Sequence, residues 1–578
     1  MRPFWQKLPF LLELFINGTF ILLYSLRKME RLPATWVKES VDSWIRTGTY
    51  AVPVIIFFSI CIQLISLKNI EAFLRRHVFS FTVFIPMLIT FGDELFTWWL
   101  ASAHLLSSVL SIYDDDFGDG KSRYEVDKLK QGIFSALRLK PAQLVLLSFS
   151  AVILFGTFFL MLPFSNAAGK SMGFVDAFFM ATSATCVTGL ATKSLASDFS
   201  IFGQAVILIL IQIGGLSIMT LYSSMTILLG RSLGMKDRVI MQDLLDVSSL
   251  EELFSMIVDI VKYTFVIELW GGIILTIAFT FEGFEFGQSL YYGFFHSISA
   301  FCNAGFSLFD NSLESYSTNP MVTFPIMALI SLGGIGFVAL KELREVISSG
   351  KKIVRLGIHT KIVLTTSLLL TFIGAVFIFF GEFLHAFDSY SFWGKVQVSL
   401  FQSVTLRTAG FNSVPLTGLH NYTLYAMTLL MFIGGSPGST AGGVKTTSLA
   451  ILVQSITSTL KGRKKVTIYN RTIPAPIVVR ATALMFISIL ITSFFILLLI
   501  RLETDQSFLA IFFEVISASG TVGLSLGITP FLSVAGKICV SLLMLSGRIG
   551  PLTLILAIGQ QDSSKGEFEY PEGRIMIG

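Results

Sequence analysis

Long apolar runs alternate with short polar breaks along most of the chain. The pattern predicts membrane-spanning helices near 141–162, 201–229, 258–281, 321–340, 361–384, 422–460, 476–501 and 536–560. A spanning helix needs about 20 apolar residues, and each of these runs supplies that length. Between the two runs of each successive pair lies an aromatic, apolar stretch too short to cross a bilayer, which ends in small residues and a glycine. There are four: "FFMATSATCVTG" ending at Gly189, "FFHSISAFCNAG" at Gly305, "LFQSVTLRTAG" at Gly410 and "FFEVISASGTVG" at Gly523. The glycines are 116, 105 and 113 residues apart. Ten residues before the glycine stands Phe179, Phe295 or Phe513, and in the third stretch Leu400 holds that place with Phe401 after it. A second glycine follows each stretch at a near-constant offset, Gly214, Gly333, Gly434 and Gly547.

The repeating unit is therefore span, half-length re-entrant hairpin, span. The predicted organisation is an accessory N-terminal membrane region (1–130), repeat 1 (131–235), repeat 2 (236–350), repeat 3 (351–465, with an intramembrane loop at 434–447), repeat 4 (466–564) and a tail (565–578). The predicted fold is an all-α polytopic membrane protein. Four tandem helix–pore-loop–helix repeats stand in pseudo-fourfold symmetry around one ion pore, and extra N-terminal transmembrane helices are added near 8–26, 48–67, 74–91 and 94–112.

Composition agrees. Of 578 residues 53% are hydrophobic and 14% charged, and the mean hydropathy is +0.74, which places the chain among membrane proteins rather than soluble ones. The first apolar run contains Glu13 and lacks a small-residue cleavage site, so it is not read as a removed signal peptide. The net charge of +5 lies in short clusters, among them "GRSLGMKDR", "KELREVISSGKK" and "KGRKK" between units, whereas the lead-ins to the hairpins are poor in Lys and Arg. Basic loops face the cytoplasm. The hairpins are thus expected to enter from outside, the C-terminus to be cytoplasmic and the protein to be multi-pass in the cell (inner) membrane, with lipids and no nucleic acid as surroundings.

Non-helical backbone at membrane depth is tolerated only where protein buries it or where it lines water. Extended backbone after a half-helix exposes carbonyl oxygens, which can replace the hydration shell of a cation. Glycine allows the backbone angles and the close approach of four strands to one axis. No acidic residue stands within four positions before any of the four glycines, so backbone carbonyls rather than a carboxylate ring would select the ion. That favours a large, weakly hydrated monovalent cation. The expected ion-binding residues are Val187, Thr188, Gly189, Asn303, Ala304, Gly305, Thr408, Ala409, Gly410, Thr521, Val522 and Gly523.

Here the residues carry a resemblance. "SATCVTG", "SAFCNAG", "TLRTAGFNS" and "SASGTVG" resemble the filter segments of the Trk/Ktr/HKT superfamily of potassium transporters, and "RLKPAQLVLLSFSAVILFGTFFLMLP" resembles the first span of a Ktr-type membrane subunit. The resemblance covers about residues 130–560. It implies potassium uptake, four non-identical repeats, a homodimer and a cytoplasmic nucleotide-binding regulatory ring, so that any regulatory nucleotide sits on a partner and no cofactor on this chain. Sodium-favouring relatives tend to carry Ser at the first filter glycine, so Gly189 implies potassium.

As one helix, 422–460 would be about 58 Å long, nearly twice the hydrocarbon core. Its middle, "GGSPGSTAGGVKTT", holds Pro437 and five glycines, which interrupt a helix. The family resemblance makes this loop a gate, with Gly434, Gly435, Ser436, Gly438, Gly442 and Gly443 in the moving part and Lys445 at its end. Arg548 sits mid-span in "LMLSGRIGPLTL", where a charge costs roughly 2.5–3.5 kcal/mol on insertion scales. It is expected to bond carbonyls of the 434–443 loop and help hold it closed. Arg407, three residues before Gly410, either braces the hairpin through carbonyls or reaches extracellular water.

Enzyme signals are weak. "GLSLG" at 523–527 fits a nucleophile-elbow pattern but belongs to the fourth hairpin, and no phosphate-cradle ending G-K-[ST] follows a glycine-rich loop. The six histidines are scattered, and His296 is expected to pack rather than to hydrogen-bond. Cys61, Cys186, Cys302 and Cys539 show no metal spacing. The chain is not expected to be an enzyme. The alternative to a filter is a sodium- or proton-coupled secondary transporter with alternating access, which usually shows two-fold repeats and paired broken helices; only the third unit here looks strongly broken.

Overall fold

The computed structural model describes residues 4–28, 41–53, 56, 94–95, 97–102, 104–105, 141–216, 250–349, 356–550 and 554. The expectations for most of 48–67, for 74–91, for 217–229 and the basic loop after it, for Cys61, and for most of 551–578, including the tail, lie outside those residues.

Almost all described structure is helical. After α1 (Phe4–Lys28), the four units run in order. The first contains α2 (Pro141–Met161), α3 (Phe174–Thr185) and α4 (Ile201–Leu216), and the second α5 (Leu250–Phe281), α6 (Phe286–Phe301), α7 (Pro320–Ile335) and α8 (Phe337–Ser348). The third contains α9 (Ile358–Glu382), α10 (Phe392–Thr405), α11 (Asn421–Phe432) and α12 (Thr446–Leu460). The fourth contains α13 (Ala475–Leu502), α14 (Phe508–Gly520) and α15 (Val534–Ile549). The fold is the one expected, with short helices α3, α6, α10 and α14 standing between longer ones.

Three described helices are long and apolar enough to cross a bilayer unaided, Val258–Phe281, Ile358–Glu382 and Ala475–Leu502. Local chemistry sets several helix starts. Ser391, Ser507 and Ser533 accept hydrogen bonds from the amides of Gly394, Ala510 and Gly536 at 3.2, 3.2 and 3.0 Å, satisfying donors that a helix cannot satisfy itself. The basic connection between α12 and α13 is a hairpin, β1 (Thr467–Ile468) against β2 (Arg471–Thr472). Tyr469 and Asn470 at its tip both have positive φ, as a two-residue primed turn requires.

Three expectations about spans change, one of them 536–560, where α15 ends at Ile549 before Gly550 (φ +93°) and Arg548 stands in its last turn rather than mid-span. The run 321–340 is not one helix: α7 stops at Ile335 and the chain turns by 106° at Gly336, whose φ is +97°. The break over 434–447 is real but shorter at its far end, because Thr446 and Thr447 already belong to α12 and the non-helical stretch is Ile433 to Lys445. Lys445 bonds the Ala441 carbonyl at 2.8 Å, which closes the loop on itself just before α12.

The described N-terminal residues form an aromatic and aliphatic cluster that docks on the first unit. Phe20, Tyr24, Ile45, Trp98 and Leu100 are buried with Phe164, and the Trp98 and Phe164 rings meet edge-on at 4.9 Å. Arg27 ties this region together, 3.0 Å from both Asp42 and Glu94.

Candidate functional site

The four short helices end at one place. Each is followed by a residue with positive φ two places before the glycine (Val187, Asn303, Thr408 and Thr521, at 56°, 59°, 69° and 52°), and by the glycine itself at 98°, 70°, 81° and 92°. A left-handed conformation at a residue other than glycine costs of order 1–3 kcal/mol and persists only where the surroundings impose it. Here it recurs at the matching position of all four units, three times on a β-branched residue.

The glycines close a ring. A Cβ placed on Gly189 would lie 2.5 Å from the Ala304 carbonyl oxygen, on Gly305 2.7 Å from that of Ala409, and on Gly410 2.5 Å from that of Val522. On Gly523 it would run into the carbonyl oxygen of Thr188. Each unit therefore presents a carbonyl to the glycine of its neighbour, in cyclic order. All twelve residues expected at the filter come together at this ring or within two residues of it.

The hairpins are held from behind. The amides of Thr188, Ala304 and Val522 donate to the carbonyls of Ser183, Ser299 and Ser517, each at 2.8 Å, and the amide of Ala409 to that of Thr405 at 2.9 Å. The same four side chains brace the far side. Ser183 and Ser517 accept from the amides of Gly189 and Gly523 at 3.1 Å, while Ser299 and Thr405 donate to the carbonyls of Phe306 and Phe411 at 2.8 Å. The buried hydroxyls of Thr185, Thr188, Thr408 and Thr521 make no hydrogen bond to any described protein group.

The third hairpin is one residue shorter between its buried phenylalanine and its glycine, nine positions against ten in the other three. Phe179, Phe295, Phe401 and Phe513 are all buried to within 1%, so Phe401 and not Leu400 takes the aromatic place. The next residue is Met180, His296, Gln402 or Glu514. His296 bonds Ser307 at 3.0 Å and the Tyr292 carbonyl at 2.7 Å while its ring stacks on Phe309 at 5.0 Å. It thus hydrogen-bonds as well as packs, contrary to the expectation that packing alone would engage it. Gln402 donates to Ser413 at 3.3 Å, and Glu514 accepts from Ser525 at 2.7 Å and Thr529 at 2.5 Å. The recurring phenylalanine is visible in the sequence in three of the four hairpins at one spacing. Of the polar residues at that place the sequence points to His296 alone, because Gln402 and Glu514 differ from it in type and show no shared motif. Arg407 donates to the Ser367 hydroxyl at 2.9 Å and its carbonyl at 3.4 Å, which ties the third hairpin to α9 rather than sending the guanidinium into water.

The second set of glycines explains itself by close approach. A Cβ on Gly214, Gly333 or Gly547 would strike the carbonyl oxygen of Thr185, Phe301 or Ser519, each four residues before its ring glycine. In the third unit Gly434 instead meets the Gly442 carbonyl of its own loop.

That loop lies beside the ring and touches the other units. Ser436 and Thr440 donate their amides to Gly334 and Gly333 at 3.0 and 3.3 Å, and the Thr440 hydroxyl donates to Phe301 at 3.2 Å. A Cβ on Gly442 would strike Thr521, and one on Gly443 would lie 3.3 Å from Gly520. Gly435 accepts from the amide of Thr446 at 3.1 Å, and the Gly438 carbonyl accepts from Phe337 at 3.0 Å. Arg548 donates one guanidinium nitrogen to the Thr440 carbonyl and another to the Gly214 carbonyl. One side chain of the fourth unit thus joins the loop of the third to the first.

A family model described as TrkH, cation transport protein, matches residues 135–566. The chain is 36% identical over 461 residues to the Ktr system potassium uptake protein B of Bacillus subtilis, covering 78% of this chain and 99% of that one. It is 34% identical over 447 residues to the potassium/sodium uptake protein NtpJ of Enterococcus hirae, covering 76% and 98%. The crystal structure of the potassium transporter TrkH from Vibrio parahaemolyticus superposes with a TM-score of 0.57 at 18% identity, over 89% of this chain and 98% of that one.

Proposed function

The chain belongs to the TrkH family of cation transport proteins, and from that premise we propose that it carries potassium into the cell through the carbonyl ring at Gly189, Gly305, Gly410 and Gly523. The observation that carries this reading is the cyclic contact of each ring glycine with the neighbouring unit's carbonyl. A bare monovalent cation needs many weak oxygen ligands to replace its water. The carbonyls of Thr188, Ala304, Ala409 and Val522 stand at the ring, and the buried hydroxyls of Thr185, Thr188, Thr408 and Thr521, within five residues of its glycines, make no hydrogen bond to a described protein group. No acidic side chain lies in the segments SATCVTG, SAFCNAG, TLRTAGFNS and SASGTVG, so carbonyl dipoles rather than a carboxylate ring would meet the ion, which suits a weakly hydrated one. The short helices α3, α6, α10 and α14 end against the ring, and helix C-termini carry the partial negative charge that favours a cation.

The loop Ile433 to Lys445 is the gate in this reading. It is held at Ser436 and Thr440 by the Gly334 and Gly333 carbonyls and at Thr440 by Arg548, so release of those bonds would let it withdraw. Arg548 adds a fixed positive charge beside the cation path, and a charge there repels the ion directly. A homodimer in the cell membrane with a cytoplasmic C-terminus, controlled by a nucleotide-binding ring on a partner, completes the proposal.

The test is flux from liposomes holding the purified chain, read with rubidium-86 and with sodium-22, beside potassium-limited growth of an uptake-deficient host. Rubidium flux several-fold above sodium flux supports the ring as a potassium filter. Equal flux of the two ions overturns the potassium assignment, and NtpJ, described as a potassium/sodium uptake protein, makes that comparison the necessary one.

A further inference from the structure

The scattered histidines do not all stay scattered. His385 and His420, 35 residues apart, stack with ring centroids 3.8 Å apart and planes at 22°. Beneath them lies Glu382, whose side chain is fully buried although it ends a membrane helix. One carboxylate oxygen is 3.0 Å from Nδ1 of His385 and the other accepts the amide of His420 at 2.9 Å. One donor atom from each of the three residues lies within 4.8 Å of the other two.

We propose that Glu382, His385 and His420 form a binding site for a divalent transition metal of the zinc class. The chemistry of the donor set carries the choice. Two imidazoles and one carboxylate are a common three-residue set for zinc, with water as the fourth ligand, and hard ions such as magnesium prefer all-oxygen surroundings. The geometry is close to what is needed. Ligand atoms around a tetrahedral zinc stand roughly 3.3–3.6 Å apart at bond lengths near 2.0–2.2 Å, so small rotations of two side chains at the surface suffice. Glu382 and His385 are three residues apart at the end of α9, a spacing that presents both to one side. His420 is the cap residue immediately before α11.

Neighbouring groups hold the ring of one ligand and the backbone around the other two. The Tyr422 ring stacks on His420 at 5.1 Å and its hydroxyl donates to the Gly381 carbonyl at 2.6 Å. Lys395, from the short helix α10, donates to the Phe383 carbonyl at 2.7 Å. The side chain of His385 is 47% exposed, so an ion can enter from solution. A bare cap has no need of two stacked imidazoles: Glu382 alone would hold the His420 amide. The site shares no residue with the carbonyl ring or the Arg548-held loop, and it stands or falls independently of the ion that is carried.

The full-length protein, purified through a tag without histidine, reconstituted in nanodiscs and stripped with EDTA, is titrated calorimetrically with zinc chloride and with magnesium chloride. The expected result is one zinc per chain at micromolar affinity and no magnesium uptake. X-ray absorption should then give zinc–nitrogen distances of about 2.0–2.1 Å. His385→Gln, at an exposed side chain, and the double variant His385→Ala with His420→Ala should each weaken zinc binding at least about tenfold while rubidium flux without zinc stays unchanged. Zinc at less than about a tenth of an equivalent, or equal affinity in wild type and in His385→Gln, overturns the proposal.

Discussion

The second and third units solve the same problem in different ways. Both must end an inner helix beside the ring. In the second, α7 runs to Ile335 and one residue, Gly336, turns the chain by 106°. The fourth ends α15 alike, at Gly550 with φ +93°. In the third, α11 ends at Phe432, and the thirteen residues from Ile433 to Lys445 are non-helical before α12. One glycine gives a kink that the neighbouring helix still packs around. Several glycines with Pro437 give a segment whose backbone groups must be satisfied by other units. The loop does that with the carbonyls of Gly333, Gly334 and Phe301 as acceptors and Arg548 as donor. A segment held mainly by a few polar contacts to its neighbours can leave more readily than a helix fixed by its own bonds.

The contrast can be broken by substitution. The largest effect is expected at the ring, which the two units share. Gly410→Ala puts a methyl group 2.5 Å from the Val522 carbonyl at a backbone φ of +81°, and rubidium uptake should fall by about two orders of magnitude or more, as a filter misplaced by a fraction of an ångström fails. Retained uptake above one tenth of wild type would deny the ring its role.

Next is the register of the third hairpin. Phe401→Ala removes a fully buried ring and should cost about 3–5 kcal/mol in stability, whereas Leu400→Ala, only partly buried, should cost clearly less. Thermal midpoints in detergent would rank the two, and the reverse order would return the aromatic place to Leu400.

Arg548→Ala tests the loop. It deletes the bonds to Thr440 and Gly214 together, and basal rubidium flux should rise several-fold at equal expression. The kink in the second unit makes no bond to Arg548, although a Cβ on Gly336 would lie 2.6 Å from the Pro437 carbonyl of the loop, so Gly336→Ala should lower folding yield and raise flux less than Arg548→Ala does. Flux unchanged by Arg548→Ala would remove that side chain from gating.

The smallest effect is expected behind the ring. Glu514→Gln keeps an acceptor for one of Ser525 and Thr529 and should lower stability by about 1–2 kcal/mol, read as a shift in thermal midpoint with selectivity intact.

Several of these features were legible as sequence. The ring glycines were found from their recurrence, because no side chain fits where a neighbour's carbonyl lies against the Cα, and that constraint repeats in every unit. Arg548 was legible as an unpaired charge in an apolar span, and its bond to the loop follows. The third loop was legible because Pro437 and five glycines cannot continue a helix. Other features were hidden. The glycine-rich runs "QIGGLS", "SLGGIG" and "LSGRIG" look alike, and only contacts with the Gly438 and Pro437 carbonyls mark Gly336 as the residue that turns. The missing residue before Gly410 displaced Phe401 from its place in the spacing, and only burial restores it.

The sequence alone determined the class of the molecule, the fourfold repetition and the ring glycines, because hydrophobic length and steric exclusion act locally and repeat with the chain. Which carbonyl faces which glycine, where α7 bends, and that His385 and His420 meet over Glu382 were decided only by tertiary packing, because those contacts join residues whose separation along the chain carries no period.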